Sequence, residues 1–145
     1  MKILLQRVAY AVVRVDGEEI ARIGKGILAL VGIEEGDSPE TADQLAEKTA
    51  QLRIFPDDAG KMNLSCLDIG GEILAVSQFT LAGNCSKGRR PSFDKAAHPD
   101  LARTLYERYI KKIASSGIVT ASGRFAADMK VELLNDGPVT LILEK

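Results

Sequence analysis

Apolar residues dominate the first fifteen positions and return at residues 26–33, after which the spacing becomes helical. Residues 2–15 are rich in Val, Ile and Leu, and Asp16-Gly17 behind them is a strong hairpin signal, so residues 19–23 read as the returning strand. Residues 26–33 are apolar throughout, which predicts a strand that is central or covered on both faces. At Ser38-Pro39-Glu40 an N-cap serine, a first-turn proline and an early acid open a helix. Its inward positions Ala42, Leu45, Ala46, Thr49 and Leu52 follow the 3.6 period. Pro56-Asp57-Asp58-Ala59-Gly60 and Ile69-Gly70-Gly71 are turns. Residues 72–81 then read as a strand whose far end becomes polar, followed by a glycine-containing polar loop over 82–92.

A second helix is predicted over 99–116, with Leu101, Leu105, Tyr109 and Ile113 on one stripe and Gly117 placed to end it. Strands follow at 118–121, 129–134 and 139–143, the last two joined at Asn135-Asp136-Gly137-Pro138. The pattern contains no repeat, linker or low-complexity run. It predicts one α+β domain over residues 1–145, a curled or barrel-like and mainly antiparallel, hairpin-connected sheet with two main helices packed on it.

Composition narrows the chemistry. The chain has 145 residues, 46% hydrophobic and 27% charged, with one His, two Cys and no Trp. A chain of this size buries enough surface to need neither metal nor disulfide. Cys66, Cys85 and His98 are three soft ligands at most, so no metal site and no cofactor are expected. Two thiols in such a chain point to a cytoplasmic, soluble protein. No uninterrupted apolar segment precedes Arg7, so no signal peptide is expected, and residues 26–33 are too short to enter a membrane as a span. Any mechanism using an imidazole depends on His98, which in Ala97-His98-Pro99-Asp100 reads as a helix start.

The net charge of −1 conceals an uneven distribution. Residues 34–47 hold six acids and no base, whereas residues 85–112 hold eight bases against three acids. The second segment is a local basic patch.

Three segments are candidates for chemistry. Ser77-Gln78-Phe79-Thr80 ends a buried-looking strand, where hydroxyls and an amide can floor a site; spacing alone favours a strand whose polar face meets water. Asn135-Asp136-Gly137-Pro138 reads as a tight hairpin, but an X-Pro bond is also where a cis peptide is cheap, and a cis bond aligns the two flanking carbonyls. Ser86-Lys87-Gly88-Arg89-Arg90 is either a phosphate-contacting loop or a solvated one. It contains no P-loop, and Gly24 and Gly26 do not make a dinucleotide fingerprint.

At these segments the sequence resembles the D-aminoacyl-tRNA deacylases of the bacterial and eukaryotic type. The resemblance rests on Ser77-Gln78-Phe79-Thr80-Leu81 and on Asn135-Asp136-Gly137-Pro138-Val139-Thr140. Between and before them, in the family's order, stand Gln6-Arg7-Val8, Arg53-Ile54-Phe55, Gly60-Lys61-Met62-Asn63 and Gly88-Arg89-Arg90-Pro91-Ser92-Phe93. It implies hydrolysis of the ester joining a D-amino acid to the 3′ end of tRNA, and clearance of glycine mischarged on tRNA(Ala). It implies a homodimer with active sites at the subunit interface. In that picture Ser77 and Gln78 bind substrate, Phe79 and Thr80 supply backbone donors on the pocket floor, and Phe125 and Met129 line the pocket. Gly137 and Pro138, braced by Arg7, enter the partner's pocket and exclude L-amino acids.

With tRNA as the partner that the resemblance implies, Lys87, Arg89 and Arg90 of the basic loop are the candidates for phosphate contact. There are departures from the family pattern: Ala126 stands where the family usually has a glycine, and residues 82–86 lack the usual aromatic and have Ser86 where a base is common. Two other functions stay open, a non-catalytic nucleic-acid-binding module and a stand-alone editing domain acting on L-aminoacyl-tRNA. The first has no need of Ser77–Thr80, and the second has no need of the Gly-Pro constraint.

Overall fold

The computed structural model describes residues 1–145. β1 (Lys2–Val15) organises the sheet. It turns at Asp16 and Gly17, which take positive φ of 52° and 82°, into β2 (Glu18–Ile23). β3 (Gly26–Gly32) lies antiparallel to the first half of β1, and β2 to the second half. α1 (Pro39–Gln51) starts where predicted, with Ser38 Oγ accepting from Thr41 N. A small hairpin, β4 (Phe55–Pro56) and β5 (Met62–Leu64), surrounds the first predicted turn. β6 (Glu72–Ser77), α2 (Pro99–Ser115), β7 (Val119–Ser122) and β8 (Lys130–Glu144) complete the chain.

The two faces of the sheet bury different clusters, as period-two alternation requires. On β3 and β6, Ile27, Ala29, Val31, Ile73 and Ala75 face the helices, where they meet Leu45, Ala46, Leu105, Tyr109 and Ile113. The alternate residues Leu28, Leu74 and Val76 turn to the inside of the curled sheet and join Val8, Ala11, Val13 and Ile23. Burying both faces explains the unbroken apolar run of β3. The helices are tied to each other by a buried pair, Thr49 Oγ and Tyr109 Oη at 2.9 Å. No helix is long and apolar enough to cross a membrane.

Several expectations are corrected. Hairpins do not connect most of the sheet: β3 runs parallel to β6 and β6 parallel to β7, with α1 and α2 in the respective connections. A parallel pair needs such a crossover, and each helix supplies one. The strand predicted to reach residue 81 stops at Ser77, and Phe79–Ala82 is a 3₁₀ turn. The 135–138 segment is not a hairpin turn. Both flanks of it pair with β1 in one direction, Gln6 opposite Thr140 and Val8 opposite Asn135. Residues 136–139 therefore leave the ladder as an excursion opposite Arg7 alone. Leu101 is exposed rather than part of the inward stripe, and Tyr106 takes its place.

The basic patch is also smaller than its sequence count. α1 and α2 pack side by side, so the acidic run meets the basic one. Arg108 forms a bidentate pair with Asp43 at 2.8 and 2.7 Å, and Lys112 Nζ lies 2.8 Å from Glu47 Oε1. These partners hold the Asp43 carboxyl below its ordinary pKa and raise those of Arg108 and Lys112.

Candidate active site

A cleft of about 550 Å³ opens where the ends of β3 and β6, the start of α2 and the 125–131 segment converge. Ser77, Gln78 and Phe79 form one side, and Phe125, Ala126 and Met129 another. The four substrate-binding residues expected from the sequence thus come together with Phe79 in one place. Twelve of the sixteen lining residues are hydrophobic, and Asp128 is the only ionisable side chain among them. Its carboxylate is matched by Lys130 Nζ, 2.9 Å from both oxygens.

The 3₁₀ turn positions the polar floor. Gln78 N donates to Val31 O at 2.8 Å, which ties the turn to β3, and Leu81 N donates back to Gln78 O. The first N–H groups of such a turn have no acceptor inside it. Gln78 precedes the turn without a side-chain cap, so the main-chain donors of Phe79 and Thr80 remain uncapped by it. Thr80 does not line the cleft; its Oγ accepts from Gln78 Nε2. Phe79 is 57% exposed, with its ring edge-on to Phe93 at 5.1 Å.

Phe93 stands at the neck of the basic loop. Asn84 and Ser92 exchange two main-chain hydrogen bonds, 2.8 and 3.0 Å, and the exposed residues Lys87, Arg89 and Arg90 lie between them. The loop is therefore a closed projection rooted beside the cleft.

Arg7, Gly137 and Pro138 are not part of this cleft in the same chain. Arg7 Nε donates to Asp136 O at 2.8 Å and its Nη1 to Ile54 O at 2.6 Å, so one guanidinium holds the excursion against the β4 segment. The Gly137–Pro138 peptide is cis, and Gly137 has φ 139°. Asn135 closes the excursion's base, accepting from Val139 N and donating to Thr140 Oγ, both at 2.9 Å. His98 is exposed at the start of α2 without a capping bond and is not among the cleft residues. Cys66 is buried with its Sγ against Glu72 O, and burial pushes its thiol up to about 12, which makes it a poor nucleophile. No group of three His, Cys, Asp or Glu side chains is placed to hold a metal.

Sequence reading missed Val31, Ile33, Ala97, Pro99 and Ala102 as cleft residues. Pro99 and Ala102, three apart at the start of α2, are indistinguishable by spacing from an ordinary core stripe. Ala126, noted as a departure, sits at φ 62°. A left-handed conformation costs an L residue about 1–2 kcal/mol, more than the ~0.4–1 kcal/mol of unfolded-state entropy that a glycine would add. Ala126→Gly is therefore expected to stabilise the fold by roughly 0.5–1 kcal/mol in urea unfolding.

Taken together, the arrangement defines a small α+β protein with an apolar cleft, a 3₁₀ turn without a side-chain cap at its edge, and no His, Cys or Lys in its lining. Comparison with known proteins gives the family. The profile of the D-Tyr-tRNA(Tyr) deacylase family matches residues 4–144, and the chain belongs to that family. It is 62% identical over 144 residues to the D-aminoacyl-tRNA deacylase of Geobacter sulfurreducens, covering 99% of this chain and 95% of the relative. The D-aminoacyl-tRNA deacylase of Pelobacter propionicus is 58% identical over the full length of both chains. Among solved structures, one described as c-Myc DNA Unwinding Element Binding Protein superimposes with a TM-score of 0.94 at 38% identity, covering 100% of this chain and 99% of that one. A probable eukaryotic D-amino acid tRNA deacylase gives 0.81 at 17% identity, covering 98% and 97%, which shows the shared fold.

Proposed function

We propose that this chain hydrolyses the ester bond of D-aminoacyl-tRNA, releasing the free D-amino acid and tRNA in the cytoplasm. The observation that carries the reading is the cleft itself, built from the Ser77–Phe79 segment, Phe125 and Met129 in a member of the deacylase family. An aminoacyl ester is already activated, so it needs a positioned attacker and a stabilised oxyanion more than a strong nucleophile. The N–H groups of Phe79 and Thr80 suit the second task, worth on the order of 3 kcal/mol per donor. Thr80 has no adjacent base to activate its hydroxyl, and its Oγ is engaged by Gln78. Attack by water is assisted by the 2′-hydroxyl of the terminal ribose, and the protein contributes geometry and dipoles.

The unit that works is a homodimer. β8 pairs with β1 along one edge only, and it exposes Leu134 (53%), Leu141 (40%) and Ile142 (61%). A long strand with a free edge and exposed apolar side chains is suited to burial against a second copy. The exposed excursion at Gly137 and Pro138, remote from its own chain's cleft lining, then enters the partner's cleft and bars L side chains. Glycine has no side chain to bar, so glycine mischarged on tRNA(Ala) is also cleared. Lys87, Arg89 and Arg90 meet tRNA phosphates through charge.

The test is deacylation of matched D- and L-tyrosyl-tRNA with glycyl-tRNA alongside. The D- and glycyl esters are expected to be cleaved and the L-ester spared; preference for the L-ester would overturn the reading. Thr80→Ala and His98→Ala are each expected to keep kcat within a few-fold, because neither removes a main-chain donor. Loss of turnover in either at unchanged tRNA affinity would restore a side-chain mechanism. One structural relative is named for binding a DNA element, which favours a nucleic-acid-binding module as the second reading. Absence of turnover on every aminoacyl ester, with tRNA still bound, would select it.

A further inference from the structure

Arg103 has no role in the site described so far. It lies on the first turns of α2, next to Ala102, which lines the cleft. Its guanidinium carbon stands 5.1 Å from the centre of the Phe125 ring, itself a cleft wall. Another neighbour of that ring is Tyr106, with centroids 6.0 Å apart and planes tilted by 42°. Tyr106 is buried and its hydroxyl donates to Ala75 O at 2.9 Å, which anchors the stack to β6. An exposed cation is thus held beside the Phe125 wall of the cleft on a fixed aromatic support.

Its charge is uncommitted. Arg108 and Lys112, further along α2, are neutralised by Asp43 and Glu47 from α1. Of the acids on its own helix, Asp100 lies 3.5 Å from His98 Nδ1, and neither Asp100 nor Glu107 pairs with Arg103. The acid of the cleft lining, Asp128, is taken by Lys130. A guanidinium held over a ring, with no hydrogen-bonded or ion-pair partner, has its N–H donors free, and its planar fork matches a phosphate edge.

We infer that Arg103 binds the 5′-phosphate of the terminal nucleotide of the substrate. The inference rests on the reading that the cleft takes the aminoacylated 3′ end. In that nucleotide the ester and the 5′-phosphate sit at opposite ends of one ribose, so an ester in the cleft leaves the phosphate outside its mouth. Arg103 then orients the ribose as well as adding affinity, and it discriminates a nucleotide ester from a nucleoside ester.

The experiment compares D-tyrosyl esters of adenosine, of adenosine 5′-monophosphate and of intact tRNA with the wild type, Arg103→Ala, Arg103→Lys and Lys111→Ala. The wild type is expected to show a KM about tenfold lower for the monophosphate ester than for the adenosine ester, as suits one charge-assisted contact. Arg103→Ala is expected to abolish that difference while leaving the adenosine ester within twofold of wild type. Arg103→Lys is expected to restore part of it. On tRNA the slope of log KM against log salt becomes shallower by about 0.7 in Arg103→Ala, the share of one neutralised phosphate on a single strand. Equal losses on both small esters would mean that Arg103 acts through packing of Phe125, and the inference falls. An equal effect of Lys111→Ala would trace the difference to overall charge, and the inference falls in that case too. If the wild type cleaves none of the three D-tyrosyl esters, the deacylase reading itself fails.

Discussion

Gly32→Ala is expected to lower the rate of D-tyrosyl-tRNA cleavage by about a hundredfold, the size of loss that a displacement of order 1 Å can produce at a site built on positioning. A Cβ on Gly32 would lie 2.8 Å from Leu81 Cβ and 3.1 Å from Gln78 O. Both neighbours belong to the segment that carries the Phe79 and Thr80 donors. The strand cannot yield, since β3 is paired on both edges and buried on both faces. The turn must move instead, and moving it strains the bond from Gln78 N to Val31 O. KM for tRNA should change little, because the basic loop and the outer cleft are untouched. Stability should fall by about 1–3 kcal/mol, as overpacking does. Gly24→Ala provides the contrast: its Cβ would meet only Glu72 Oε2 at 3.7 Å, an ordinary contact, so the rate should be unchanged. Single-turnover rates and thermal unfolding of the two variants decide the point. A normal rate in Gly32→Ala would mean that the turn does not position the reaction.

Gly32 also shows where sequence reading ends. It sits inside an apolar run whose strand was legible, yet nothing in the run distinguishes a glycine required by the close approach of another segment. The helices were legible because their signals are local: Ser38 and Pro39 at one start, Pro99 and Gly117 around the other. The Asp16-Gly17 hairpin was legible for the same reason. What escaped depends on partners far along the chain. The parallel pairing of β3, β6 and β7 follows from helices crossing over, which alternation of apolar residues does not encode. The continuity of β8 is a property of β1, because only a fourteen-residue strand can pair with both flanks of the excursion. Neutralisation of Arg108 and Lys112 likewise needs α1 beside α2. At the site, Ser77-Gln78-Phe79-Thr80 was legible as a motif through resemblance, whereas nothing local marks Pro99 and Ala102 as cleft residues.

In Gly137→Ala, discrimination between D- and L-tyrosyl-tRNA is expected to fall by roughly ten- to a hundredfold, corresponding to a local strain of about 1–3 kcal/mol. Gly137 has φ 139°, a conformation that L residues rarely adopt. An added Cβ would lie 2.7 Å from Arg7 Nη2, 2.9 Å from Val139 Cγ2 and 3.1 Å from Val139 N. The end of an arginine side chain usually gives way cheaply, but this guanidinium is held by Asp136 O and Ile54 O at once. Retreat of Arg7 would release the excursion it braces; retention of Arg7 would push Gly137 outward. Either way the barrier proposed to face the partner's cleft is displaced, and an L side chain gains room. The cleft and the basic loop stay intact, so tRNA affinity should hold and the glycyl ester should lose least. Asn135→Ala tests the same element without adding a Cβ. It removes the bonds to Val139 N and Thr140 Oγ that close the excursion, and the same relaxation is expected at a smaller amplitude of about 1–2 kcal/mol. Unchanged D/L selectivity in both variants, with both folded and active, would place the chiral barrier elsewhere in the protein.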